Sequence, residues 1–167
     1  MGKEKAAFGE GDVAAGDLAR VDGHFSSALR ECTAAIRRGC PAASSWPEKL
    51  GAGIYAGTDY LIERPEAARR MFGVPDESAF GERFREISAW ASQMVGEVVP
   101  TPPKAGPELP AAAVAGALLL IAQQVRLARP DRLADLRPDV HLLILLPYLE
   151  FGEAQRWAEA VYVARGY

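Results

Sequence analysis

The spacing of apolar residues along this chain is helical over most of its length. Phe25, Leu29, Cys32 and Ile36 are separated by 4, 3 and 4 residues, which puts them on one face of a helix. The same spacing continues through the segment from Phe80 to Val98. No segment alternates apolar and polar residues between turn signals, as a half-buried strand would. The pattern therefore predicts an all-α fold.

Local start and stop signals divide this pattern into about six helices. A serine at 26 or 27 is expected to cap the first, a capping-box sequence at 45–48 begins the second, and Asp76 caps the fourth. Five prolines between 99 and 110 predict an exposed loop. The expected helices cover 25–38, 46–64, 65–72, 77–98, 110–128 and 138–163, with a kink in the last near Pro147.

The last two long helices are apolar nearly all round at 111–122 and 142–149. Such helices must be covered on every side, and a second copy of the chain would cover them in a four-helix bundle across a two-fold axis. The alternative is that both lie at the centre of a monomer's core. The predicted dimer interface consists of Leu118, Ile121, Val125, Leu142, Leu145 and Leu149.

Residues 1–22 differ from the rest because they are Gly-rich, acidic and poor in large apolar side chains. We predict a flexible or loosely packed arm at 1–22 and one helical domain at 23–167. The whole chain has 167 residues and a net charge of −3, which suits a single domain and does not favour a nucleic-acid-binding surface.

The N-terminal sequence has no signal peptide, and the longest apolar run is too short to span a bilayer. Cys32 and Cys40 match no metal-binding spacing and are expected to be reduced, which predicts a cytoplasmic protein without membrane contact.

The candidate catalytic and cofactor-binding motifs lack the sequence context that such motifs need. The glycine run from Gly51 to Gly57 lacks the preceding strand that a phosphate-binding loop needs, so we expect it inside a helix, where it allows close packing or leaves room for a ligand. His24 and His141 have no evident serine or cysteine partner, and no carboxylate–histidine pair has metal-ligand spacing. We therefore expect no enzyme activity, no cofactor and no metal.

Polar and aromatic residues of the middle helices indicate a ligand cavity. Asp59 is either exposed or a polar group in an apolar pocket, and aromatic residues with Met94 either fill the core or line an adaptable cavity. Gln123 and Gln124 interrupt an apolar helix, and one of them is expected to face the cavity or the dimer interface. The predicted ligand-binding residues are Tyr55, Asp59, Phe84, Trp90, Met94 and Gln123.

Two segments resemble the tetracycline-repressor-type (TetR) family of transcriptional regulators. His24-Phe25-Ser26-Ser27 resembles the family's segment between the DNA-binding helices and the ligand domain, and Arg64-Pro65-Glu66-Ala67-Ala68-Arg69 resembles a joint between two of its helices. The resemblance covers roughly residues 24–163. It implies an effector-binding and dimerisation domain that senses a small apolar or aromatic ligand.

The family places a helix-turn-helix before this segment. Residues 1–22 are too short and too acidic to supply one, which makes direct DNA binding doubtful, whereas ligand binding and dimerisation are carried over. The expected partners are a second copy of the chain, a small apolar ligand and, as a further output, a full-length relative in a mixed dimer. Two alternatives stay open: a stand-alone helical carrier or small enzyme, and a degenerate DNA binder that uses Arg30, Arg37 and Arg38.

Overall fold

A computed structural model describes residues 10–40, 45–73, 76–104 and 106–164, and within these ranges the chain is helical and contains no strand. The all-α prediction is therefore confirmed. The helices are α1 (Glu10–Gly39), α2 (Trp46–Glu63), α3 (Pro65–Phe72), α4 (Glu77–Val98), α5 (Glu108–Arg126), α6 (Arg137–Leu145) and α7 (Phe151–Ala164), with a 3₁₀ turn at Pro130–Leu133.

The first helix begins earlier than predicted. Its backbone is helical from Glu10, so Ser26 and Ser27 lie in the interior of α1 and do not cap it. Ser27 instead donates a hydrogen bond from its hydroxyl to Glu31, one turn further along. Each glycine before Ser26 lowers the stability of the helix by only about 1 kcal/mol relative to alanine, and the remaining residues of a long helix can offset this loss. The predicted looseness of 1–22 remains a prediction, because residues 1–9 and the side chains of 10–22 lie outside the described part.

The middle helices begin and end where their local signals predict. The Glu48 carboxylate accepts hydrogen bonds from the backbone N–H of Ser45 at 2.9 Å and from its hydroxyl at 2.8 Å, which ties down the first turn of α2. Asp76 caps α4 by accepting from the backbone N–H groups of Ser78 and Ala79. Local hydrogen bonding by short polar side chains thus sets these boundaries.

The predicted last helix is two helices. α6 ends at Leu145 and α7 begins at Phe151, so the chain breaks where a kink was expected. Pro147 has no N–H to donate, and Tyr148 donates to the Leu145 carbonyl at 2.9 Å, which closes a tight turn. The Pro147 carbonyl accepts from the N–H of Lys104 at 2.8 Å, which ties the turn to the proline-rich loop.

Helix α5 packs against α3, α4 and α6 on one side. Val114, Ala117 and Ala122 are buried on it, whereas Leu119 and Leu127 are half exposed on its outer side. The helix is longer than the apolar run at 111–122, which by itself is too short to span a bilayer. α5 as a whole is the one described helix long and apolar enough to cross a membrane, and 39% of its most apolar stretch is buried against the other helices. Core helices of soluble proteins meet the same criterion, so the fold is compatible with a soluble protein.

Candidate functional site: an apolar cavity between the helices

A cavity of about 310 Å³ lies inside the helical domain and is lined by residues of α1 to α6. Its wall is almost entirely apolar. Leu50 and Leu61 contribute from α2, Trp90 and Met94 from α4, and Leu118 from α5. Small-molecule sites in proteins begin at about this volume and have this predominantly apolar character.

Small residues from three helices shape the wall of the cavity. A Cβ atom at Gly53 or Gly57 would lie 3.3 Å from side-chain carbons of Ile36, so these glycines let α1 approach α2 closely. On the other walls Ala91 and Ala117 present only methyl groups to the cavity. The glycine run lies inside α2, as predicted, and permits close helix packing.

Trp90 is held in the wall by a hydrogen bond, and the Cys32 thiol in the same wall is uncharged. The Trp90 indole N–H donates to the Thr33 hydroxyl at 3.0 Å, and this hydroxyl donates to the Leu29 carbonyl at 2.8 Å. Burial raises the pKa of the Cys32 thiol to about 12, which keeps it neutral. Both groups therefore present uncharged surface to a ligand.

Charged residues in the lining are confined to three: Arg37 at the end of α1, Lys49 in the first turn of α2 and Glu97 near the end of α4. Arg37 and Glu97 form an ion pair at 3.5 Å, and both side chains are about half exposed or more. Cys40 donates from its thiol to the Lys49 carbonyl at 3.4 Å. We call this charged part of the lining the mouth.

A buried arginine lies on the other side of α2. The Arg137 side chain is 1% exposed, donates from Nε to the Thr58 hydroxyl at 2.8 Å and pairs with the Asp59 carboxylate. Its guanidinium carbon lies 5.0 Å from the centre of the Tyr55 ring. Thr58 also lines the cavity, so this cluster supports the wall from behind.

His141 is fully buried one helical turn after Arg137, and its Nε2 lies 3.0 Å from the Pro47 carbonyl oxygen. Its Nδ1 has no hydrogen-bond partner among the described residues. Desolvation lowers the pKa of His141 to about 4, so the ring is neutral and donates from Nε2. His141 does not line the cavity.

The six predicted ligand-binding residues separate into two groups. Trp90 and Met94 line the cavity. The other four lie outside its lining: Tyr55 and Asp59 beside Arg137, Phe84 at 5.5 Å from the Phe80 ring, and Gln123 exposed on α5. The walls from α1 and α6 were not predicted, because apolar residues at helical spacing look alike whether they fill a core or border a space.

The residues predicted for a dimer interface lie mostly in the core of one chain. Leu118, Ile121, Val125 and Leu145 are buried by the chain's own helices, and Leu118 and Ile121 line the cavity. Leu142 and Leu149 are partly buried. Much of the apolar surface of α5 and α6 is therefore covered without a second copy.

Within the described residues, no group of three or more His, Cys, Asp or Glu side chains could hold a metal ion. The comparisons with known proteins add no relative: no family model, no curated protein and no solved structure matches this chain.

Proposed function

We propose that this chain is a small-molecule-sensing domain of the TetR type, which binds a small apolar or aromatic ligand and acts as a cytoplasmic homodimer. The observation that carries the proposal is the apolar cavity of about 310 Å³. At about 30 Å³ for each water-sized group, it has room for roughly ten non-hydrogen atoms. A naphthalene-sized molecule fits this space.

The position of the cavity supports sensing. Six of the described helices contribute to its wall, so a ligand that fills it contacts side chains of all six. A ligand shifts a conformational equilibrium only by its differential affinity for the two states. The α5 wall, with Ala117, rests on apolar contacts that can repack around a ligand.

Binding of naphthalene tests the proposal. Ala91→Phe places a ring in the cavity, whereas Ala89→Phe places the same ring on the exposed side of the same helix. We expect naphthalene to quench Trp90 emission in the wild type and in Ala89→Phe, and to bind at least about tenfold more weakly to Ala91→Phe. Trp46→Phe and Trp157→Phe in the background isolate the Trp90 signal. Absence of binding, or equal binding by Ala91→Phe and Ala89→Phe, would contradict the proposal.

The dimer part of the proposal is supported by the outer side of α5. Leu119 is 50% exposed and Leu127 54% exposed. Leu119 lies one turn after Gly116, and Gly116 faces Leu143 of α6. Light scattering is expected to give the mass of two chains for the wild type and of one for Leu119→Lys. Leu109→Lys, at a similarly exposed leucine in the first turn of α5, is the control. A wild type with the mass of one chain would refute the dimer.

A carrier without a regulatory role is the second candidate, and the same cavity favours it. The two functions differ in whether ligand binding changes the structure of the protein. A sensor alters its helix packing or its dimer when naphthalene binds, whereas a carrier does not. Comparing amide hydrogen exchange of α4 and α6 with and without naphthalene separates them.

A further inference from the structure

The mouth of the cavity carries more positive than negative charge. Arg37 and Lys49 are cations and Glu97 is an anion, and all three line a space whose other walls are almost entirely apolar. An apolar cavity with charge confined to one edge favours an amphipathic ligand, with its apolar part inside and its polar group at that edge.

The two cations at the mouth differ in their partners. Arg37 is paired with Glu97, which also accepts from the Gln93 side chain at 3.4 Å. Lys49 is only half-buried, and its ammonium group has no ion-pair partner among the described residues. One positive charge at the mouth is therefore not neutralised by an acidic side chain among the described residues.

We propose that the ligand is an amphipathic carboxylate, with an apolar body of roughly ten non-hydrogen atoms in the cavity and its carboxylate between Lys49 and Arg37. This inference rests on the proposed function, because it specifies the ligand of the same cavity. A carboxylate at the mouth keeps part of its hydration and gains charge-assisted hydrogen bonds, so it avoids the cost of burying an ion.

Glu97 allows the sign of the ligand's charge to be tested. Its carboxylate already pairs with Arg37, so a ligand carboxylate must share or replace that partner and is repelled by Glu97. Removing the Glu97 charge therefore strengthens binding of an anion and weakens binding of a cation. A purely apolar mode of binding is insensitive to this change.

Three probes with one tail and different head groups test the proposal: decanoate, decanol and decyltrimethylammonium, each below its micelle-forming concentration. We expect decanoate to bind about tenfold more tightly than decanol, and the cation to bind most weakly. Lys49→Gln should remove most of the preference for decanoate without changing decanol binding. Arg38→Gln removes an exposed neighbouring cation that does not line the cavity and should change neither.

Glu97→Gln should have the opposite effect to Lys49→Gln, because it removes a negative charge from the mouth. Decanoate should then bind several-fold more tightly. The preference should also shrink at high salt, which screens charges at this partly exposed mouth. If decanol binds but decanoate binds no better, and Lys49→Gln and Glu97→Gln have no effect, the carboxylate inference is overturned and the apolar cavity function stands. If neither decanol nor naphthalene binds, the proposed function fails as well.

Discussion

On the side toward α1 and α4, helix α2 borders a cavity of about 310 Å³, whereas toward α6 and α7 it packs against a buried arginine and a buried histidine. Helix α6 contributes to both regions. Its Val140 and Ile144 line the cavity, while Arg137 and His141 face α2 through hydrogen bonds. The first region is hollow and apolar, and the second is filled and polar.

This difference separates two structural roles. Buried hydrogen bonds and ion pairs need specific geometry, so the Arg137 and His141 contacts fix the position of α6 on α2. Apolar contacts are less directional, and the cavity wall can therefore repack around a ligand. The comparison predicts that substitutions on the filled side cost much more stability than similar ones on the hollow side.

The largest effect is expected from Asp59→Ala. It leaves the buried Arg137 guanidinium without the Asp59 carboxylate, which should lower the free energy of unfolding by about 3 kcal/mol, the low end for a buried pair, because the Asp59 side chain is 45% exposed. Urea unfolding monitored by circular dichroism measures this. Asp135→Ala is the matched control, because the Arg132–Asp135 pair at 3.1 Å is exposed on both sides and should contribute about 0.5 kcal/mol or less. Equal effects of the two substitutions would mean that the Arg137 cluster does not fix the filled side.

Acid should destabilise the filled side through His141. Its pKa is about 4 in the folded chain and 6.5 in the unfolded chain, so below pH 6.5 the unfolded state binds more protons. Stability contributed by the neutral ring is fully present above pH 6.5 and falls as the pH drops to 4, by about 3 kcal/mol.

Stability curves from pH 7 to 4 measure this contribution. His141→Gln should remove this part of the slope, whereas His24→Gln, at the exposed histidine, should leave it in place. The comparison uses slopes, because His141→Gln also changes the absolute stability. A slope unchanged by His141→Gln would contradict the assignment.

The smallest expected change in stability comes from alanine substitutions at two glycines of α2. In Gly51→Ala the new Cβ would lie 2.7 Å from the His141 ring and 2.9 Å from Val161, so we expect a loss of about 2 kcal/mol. In Gly53→Ala the nearest atoms belong to Cys40 and Ile36 at 3.3 Å. These can shift toward the cavity, and the gain in helix propensity of about 1 kcal/mol offsets the remaining strain. Similar losses at both positions would show that the hollow side is as rigid as the filled side.

Local chemistry made the helix boundaries in the middle of the chain predictable. Glu48 and Asp76 bond to backbone groups within three residues, so sequence neighbours alone fix where α2 and α4 begin. The start of α1 was misplaced because Ser26 and Ser27 are compatible with a helix interior as well as with a cap. The break around Pro147 was placed correctly but its extent was underestimated.

The candidate site was predicted less well than the fold. Trp90 and Met94 were identified because a cluster of aromatic and methionine side chains in the middle helices suggests a cavity, and both line it. Asp59 was singled out, but its partner Arg137 lies 78 residues away in the sequence, and no local pattern links the two. A charged residue that is 1% exposed also contradicts the usual expectation that arginine is solvated.

The sequence by itself determined that this protein is all helical and where most of its helices begin, because periodicity and capping act over a few residues. Tertiary structure alone decided which apolar residues surround open space, since a cavity is what remains after the side-chain volumes of six helices have been fitted together. It also decided that Arg137 is buried, because only the packing of α6 on α2 brings Thr58 and Asp59 within its reach.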